Sequence, residues 1–192
     1  MPGSGKSTVG RLLARHLKLR FIDSDHEIER RIGMPIRSFF EIQGEDAFRD
    51  LESEVIDDLS RMTDCVLATG GGTVLRAANR EALRGRGRVI YLRSTPEEIF
   101  RRLRHDTHRP LLQVGDPQRR LRELYRERDP LYRQTAHYTV EAVRPSVPSL
   151  LNMVLMQLEL SNELPGQPAS RSGLPGESDP SGSGTAGGLQ RH

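Results

Sequence analysis

The sequence has a single cysteine, Cys65, and no tryptophan. One thiol excludes an internal disulfide framework and fits a reducing compartment. No apolar run is long enough to span a bilayer and no secretory signal is visible, so the expectation is a cytoplasmic protein without a membrane partner. Lysine is almost missing: Lys6 and Lys18 are the only two, and every other strong base is arginine. Richness in arginine is one mark of nucleic-acid binding. Here, however, the arginines alternate with Glu and Asp, aromatics make up only 5% of the chain, and the formal net charge is only +3. Nucleic acid is therefore not expected as a partner, and codon bias in a GC-rich genome accounts for arginine in place of lysine. A length of 192 residues suggests one domain of ordinary size plus an appendage.

What is present begins at once. Pro2-Gly3-Ser4-Gly5-Lys6-Ser7-Thr8 is nearly a complete phosphate-binding loop, G-x-x-x-x-G-K-[ST]. Gly3 and Gly5 let successive N–H groups turn into one hollow that meets phosphate oxygens. Lys6 reaches the β- and γ-phosphates as a point charge, and the Ser7 hydroxyl is suited to Mg²⁺. A helix follows with Val9, Leu12, Leu13 and Leu17 on one face, which places the phosphates at a helix N-terminus. The first glycine of the pattern would fall one position before Met1, and the apolar strand that feeds such a loop is not in the chain. The expectation is that Met1 is an internal methionine of a longer protein. Without its central strand the sheet should hold a slot bordered by unpaired backbone groups.

Further along, Leu19 to Asp23 reads as a strand and Asp23-Ser24-Asp25 follows it. Ser24 or Asp25 is suited to cap the next helix. Two carboxylates at the C-terminal end of a strand also lie where α/β sheets bind ligands, one suited to Mg²⁺ through water and the other to a substrate hydroxyl. Pro35 to Ile42 reads as a short helix, Gly44 as a break, and Glu45 to Met62 as a longer helix. Arg49, near the start of that helix, reads from position alone as a solvated surface charge. Cys65 to Ala68 is a buried strand that runs into Thr69-Gly70-Gly71-Gly72-Thr73, either a flexible turn or a floor that something approaches closely. Val74 to Leu83 is expected to be helical, with Gly85 and Gly87 as breaks, and Arg88 to Leu92 to be a strand. Thr95-Pro96 opens a helix to about Arg104. Residues 104–116 read as a lid, in which His105, Asp106 and His108 are solvent-exposed rather than metal ligands. A helix from Pro117 to Arg133, disturbed at Pro130, turns Leu121, Leu124, Tyr125, Leu131 and Tyr132 inward. Arg128 shares that face and needs an anion, either a structural acid or a substrate carboxylate. Tyr138 to Glu141 is the last strand, and Pro148 opens the last helix. Residues 162–192 are a Gly/Pro/Ser-rich tail expected to be disordered.

Taken together these motifs resemble the shikimate kinases, of the nucleoside-monophosphate-kinase-like group of P-loop kinases. The resemblance covers Met1 to about Leu160 and rests on Gly3–Thr8, Asp23-Ser24-Asp25, Phe48-Arg49-x-x-Glu52, Gly70-Gly71-Gly72, Arg109-Pro-Leu-Leu and Arg128-x-Pro-Leu-Tyr132. It implies a three-layer α/β/α fold over residues 1–161, with a mainly parallel sheet whose first central strand is missing from this chain, and a monomer. It also implies ATP as co-substrate, Mg²⁺ as cofactor and shikimate as substrate. On that resemblance Gly3, Ser4, Gly5, Lys6, Ser7 and Thr8 cradle ATP, and Ser7 and Asp23 hold the metal shell. Asp25 contacts the shikimate hydroxyls and is the candidate base. Arg49 and Arg128 grip the carboxylate, Gly71 touches the ring, and Arg109 neutralises the transferring phosphoryl group. Arg102 and the region 144–148 match the adenine-side contacts loosely. A gluconate kinase shares the loop and sheet but does not require two arginines around a glycine floor. A non-catalytic nucleotide-binding protein is the remaining alternative if the first strand is genuinely lacking.

Overall fold

A computed structural model of the protein describes residues 1, 3–103, 116–142 and 146–161. Seven helices and four strands alternate along these residues. They are α1 (Lys6–Leu17), β1 (Arg20–Asp23), α2 (Ser24–Ile32), α3 (Ile36–Ser60), β2 (Cys65–Ala68), α4 (Ala77–Arg86), β3 (Ile90–Arg93), α5 (Pro96–Leu103), α6 (Pro117–Thr135), β4 (Tyr138–Glu141) and α7 (Val147–Leu160). The alternation of strand and helix makes this an α/β protein, and every strand pair is parallel.

Period-two side chains explain the layers. On one face Val66 and Ile90, Leu92 and Val140 meet Val9 and Leu13 of α1 and Leu150, Val154 and Leu158 of α7. On the other face Ile22 and Leu67 pack against α2 and α3 through Ile28, Phe48, Val55 and Leu59. Tyr91 points the same way, into the cluster made by Ile99, Leu103, Leu121, Leu124 and Tyr132 of α5 and α6. Helices thus cover both faces, as strands apolar on both sides require.

The strands form two pairs rather than one sheet: β1 with β2, and β3 with β4. Between β2 and β3 lies a slot of about 330 Å³, bordered by both strands and roofed by α1. The slot expected from the missing strand is therefore present.

Local signals set most boundaries. The Thr95 hydroxyl accepts from the Glu98 N–H ahead of α5, Asp116 accepts from the Arg119 N–H ahead of α6, and Ser146 accepts from the Ser149 N–H ahead of α7. The break expected at Gly44 is present: Gly44 leaves helical geometry at φ 82°, ψ 178° and divides α3 into two helical runs. Three details depart from the sequence reading. Asp23, not Ser24 or Asp25, caps α2, accepting from the Asp25 N–H. After the three glycines comes a 3-10 turn, Thr73–Leu75; α4 begins only at Ala77 and runs through Gly85. Finally, α6 continues through Pro130, which lies on its exposed side, to Thr135.

Candidate active site

The loop before α1 is shaped by two glycines in the left-handed region, Gly3 at φ 71° and Gly5 at φ 89°. That region is nearly free of strain only for glycine. The Met1 carbonyl accepts from the Ser4 hydroxyl at 2.9 Å and from Lys6 Nζ at 3.0 Å, which closes the loop on itself. No side chain caps α1 and its first turn carries no acid. The N–H groups of that turn therefore face outward at the positive end of the helix, where an anion is stabilised. Thr8 lies on the exposed side of the same turn.

Asp23 serves both of its sequence readings at once. One carboxylate oxygen caps α2, and the other accepts from Ser7 Oγ at 2.8 Å. A hydroxyl and a carboxylate side by side are hard oxygen donors, the class Mg²⁺ selects, and Mg²⁺ binds through few protein ligands while keeping waters. The donor set at Ser7 and Asp23 fits that ion. Two residues on, burial raises the Asp25 pKa to about 6, helped by the negative charge of Asp23 and opposed by Lys6. The Asp25 side chain keeps one side open to solvent, which leaves it reachable by a ligand.

The Gly70–Gly72 strip is a floor rather than a flexible turn. The Gly70 N–H donates to Ser24 Oγ at 3.0 Å. A methyl group at Gly70 would collide with the Asp25 carboxylate, and one at Gly72 with the Arg49 guanidinium. None of the three glycines has a positive φ, so Gly70 and Gly72 serve space and not backbone conformation. What approaches the backbone there is the side chains of Asp25 and Arg49.

Arg49 corrects the reading of a solvated surface charge. It is only 9% exposed, because the kink at Gly44 lets α3 turn its second half toward the floor. Its guanidinium donates to Glu52 at 2.7 Å and to Glu45 at 3.0 Å and lies over the Phe40 and Phe48 rings. Burial opposes its charge, but those hydrogen bonds outweigh burial and hold the pKa above the ordinary arginine value. The sequence reading names Glu52 only as the end of the Phe48-Arg49-x-x-Glu52 motif and gives it no role of its own. It is 1% exposed and accepts from both Arg49 and Thr73 Oγ1. Its only sequence signal was its place three residues after Arg49.

On the far side of the floor, α6 delivers Arg128 and Tyr132. Both donate to the Gly71 carbonyl, Arg128 at 3.2 Å and Tyr132 at 2.5 Å. Burial pushes the Tyr132 phenol up to about 12, so it stays a neutral donor. Arg128 has no carboxylate partner among the described residues, and its buried Nε has no hydrogen-bond partner. Of the two readings left open for it, no structural acid is met among the described residues. Asp25, Arg49 and Arg128 thus all meet the Gly70–Gly72 strip, and Lys6 lies near enough to Asp25 to oppose its pKa rise. Arg109, the histidines of the lid, Arg144 and the tail lie outside the described residues. Arg102 is turned to Ser94 and the Ala142 carbonyl.

Comparison with known proteins agrees with this geometry. Residues 2–159 match the family model described as shikimate kinase. A shikimate kinase from Paracidovorax citrulli is 60% identical over 88% of this chain and 93% of its own length. One from Ralstonia nicotianae is 55% identical, covering 83% of this chain and 84% of its own. Among solved structures, a shikimate kinase from Acinetobacter baumannii in complex with shikimate is 49% identical, with a TM-score of 0.78 over 84% of this chain and 90% of that one. A gluconokinase from Sinorhizobium meliloti, 18% identical with a TM-score of 0.52 over 84% of this chain and 89% of that one, shares the fold alone.

Proposed function

Because the chain belongs to the shikimate kinase family, we propose that its floor of glycines, acids and arginines is the site where shikimate meets ATP. The reaction is ATP + shikimate → ADP + 3-phosphoshikimate, a step toward chorismate and the aromatic amino acids. The observation that carries the site assignment is the convergence of Asp25, Arg49 and Arg128 on the Gly70–Gly72 strip beside Lys6.

Phosphoryl transfer asks for positioning and charge neutralisation more than for covalent chemistry. Gly3, Ser4, Gly5 and Thr8 shape the cradle, and Lys6 places its charge on the β- and γ-phosphates. Ser7 and Asp23 would hold Mg²⁺, which neutralises phosphate charge when bound. Asp25 accepts the proton of the attacking hydroxyl, a role suited to a carboxylate whose pKa is raised toward neutrality. Arg49 and Arg128 offer planar forks to the substrate carboxylate, each capable of two parallel hydrogen bonds. Arg128 approaches with an unfilled Nε, while Glu52 holds Arg49 in place. Gly71 supports the ring, and Arg109 neutralises the phosphoryl group in flight. The enzyme works as a monomer in the cytoplasm.

Steady-state kinetics test the assignment. Arg49→Ala and Arg128→Ala should raise KM for shikimate by about tenfold or more each, from the loss of charged hydrogen bonds. Lys6→Ala should mainly lower kcat. An unchanged shikimate KM in the Arg49, Arg128 double variant would refute the clamp.

A further inference from the structure

The two arginines that meet the glycine floor stand in different conditions. Arg128 donates to the Gly71 carbonyl at 3.2 Å and keeps a buried Nε unfilled. Arg49 already carries two carboxylates, and these are held with unequal firmness. Glu52 is 1% exposed, takes Arg49 Nη1 at 2.7 Å, and is tied a second time, to Thr73 Oγ1 at 2.8 Å. The Glu45 side chain is 62% exposed. One of its oxygens, Oε1, accepts from Arg49 Nε at 3.3 Å and from Nη2 at 3.0 Å. Those two donors make up one edge of the guanidinium, and such an edge is what a ligand carboxylate grips with two parallel hydrogen bonds. Glu45 follows directly on the kink at Gly44 and lies one turn ahead of Arg49. An exposed pair of this kind is weak, because water screens it and ordering two long side chains opposes it.

We propose that Glu45 is an internal competitor for the substrate's carboxylate: it holds the Nε–Nη2 edge of Arg49 and gives that edge up to an arriving carboxylate. The inference rests on the reading of Arg49 as half of the substrate clamp. A carboxylate that arrived with Glu45 still seated would be the third negative group on one guanidinium, after Glu45 and Glu52. Glu52 is too deeply buried to leave, since a buried charge without its partner is costly. The exposed acid is therefore the one that yields, and it remains solvated when it swings away. Glu45 thus lowers affinity for ligands that need this edge of Arg49 and leaves other ligands alone. A ligand with an ester in place of the carboxylate carries no charge with which to displace it.

Isothermal titration calorimetry of the whole chain with shikimate, and with its methyl ester, tests the exchange. Glu45→Ala should tighten shikimate binding by about two- to fivefold, the range that an exposed ion pair spans. Glu45→Gln, which keeps the length and loses the charge, should move it in the same direction. The ester should bind the parent and both variants alike. In an Arg49→Ala background, removal of Glu45 should change nothing. Shikimate binding that is unchanged or weaker in the Glu45 variants overturns the proposal, because Glu45 would then brace Arg49 rather than compete for it. So does a gain shared by the ester, or one that persists without Arg49, since either would mean general repulsion by an exposed charge. Arg49→Ala alone judges the clamp: it should weaken shikimate by about tenfold. If it does, a failed Glu45 result counts against the competitor only; if it does not, the clamp falls and the competitor with it.

Discussion

At the scale of single residues, Asp25 and Gly72 show how crowding sets chemistry. Burial and the charge of Asp23 lift the Asp25 carboxyl from 3.8 to about 6. A carboxyl so raised destabilises the fold when charged. That cost is full above pH 6, shrinks as pH falls through 6, and vanishes below about 4, where the unfolded chain is protonated too. Asp25→Asn should therefore melt higher than the parent at pH 8 and match it near pH 4. Solvent on the open side screens the effect to about 1 kcal/mol, or roughly 2–4 °C in Tm. The same variant should lose about a hundredfold or more in kcat, and the parent's kcat/KM should fall below pH 6 as its base is protonated. Melting curves and pH–rate profiles check both. Gly72→Ala meets the flexible end of Arg49. Its stability should change little, while KM for shikimate rises about tenfold as the guanidinium is displaced.

At the scale of elements, two further glycines behave in opposite ways. Gly44 has open space around it but sits at φ 82°, ψ 178°, a region essentially closed to side chains. Gly44→Ala should cost about 1–3 kcal/mol, and it should also weaken shikimate binding, because the kink aims Arg49. Gly85 lies inside the C-terminal turn of α4, with open space where a Cβ would stand. Gly85→Ala should stabilise the protein by up to about 1 kcal/mol. Chemical denaturation of the two variants checks these signs. The contrast explains what could be read in advance. Helix starts were legible where the signal is local, as at Thr95-Pro96. The phosphate loop, the paired acids and the glycine floor were legible because chemistry fixes their residue types. The burial of Arg49 was not, since it depends on the angle at Gly44. Nor was the role of Glu52, whose second partner, Thr73, lies far along the chain and meets it only after α3 has packed on the floor. Gly85 misled because a glycine near a helix end reads as a break, whereas α4 tolerates it.

At the scale of the whole molecule, the site draws on parts that the slot separates. Asp25, Arg49 and the glycine strip belong to the β1–β2 half, Arg128 and Tyr132 to α6 in the other half, and Lys6 to α1, which roofs the space between. A ligand that spans Arg49 and Arg128 therefore braces one half against the other and binds only the folded chain. At one hundred times its Kd, such a ligand adds about 2.7 kcal/mol, which for a protein of this size is a rise of roughly 5–10 °C in Tm. Shikimate should produce that rise, and gluconate, which lacks the ring that the floor supports, should produce much less. The shift should disappear in the Arg49→Ala, Arg128→Ala double variant and persist in Lys6→Ala, because the lysine serves the nucleotide. Thermal denaturation with each compound separates these outcomes. An equal shift from shikimate in the parent and the double variant would mean that the carboxylate binds elsewhere.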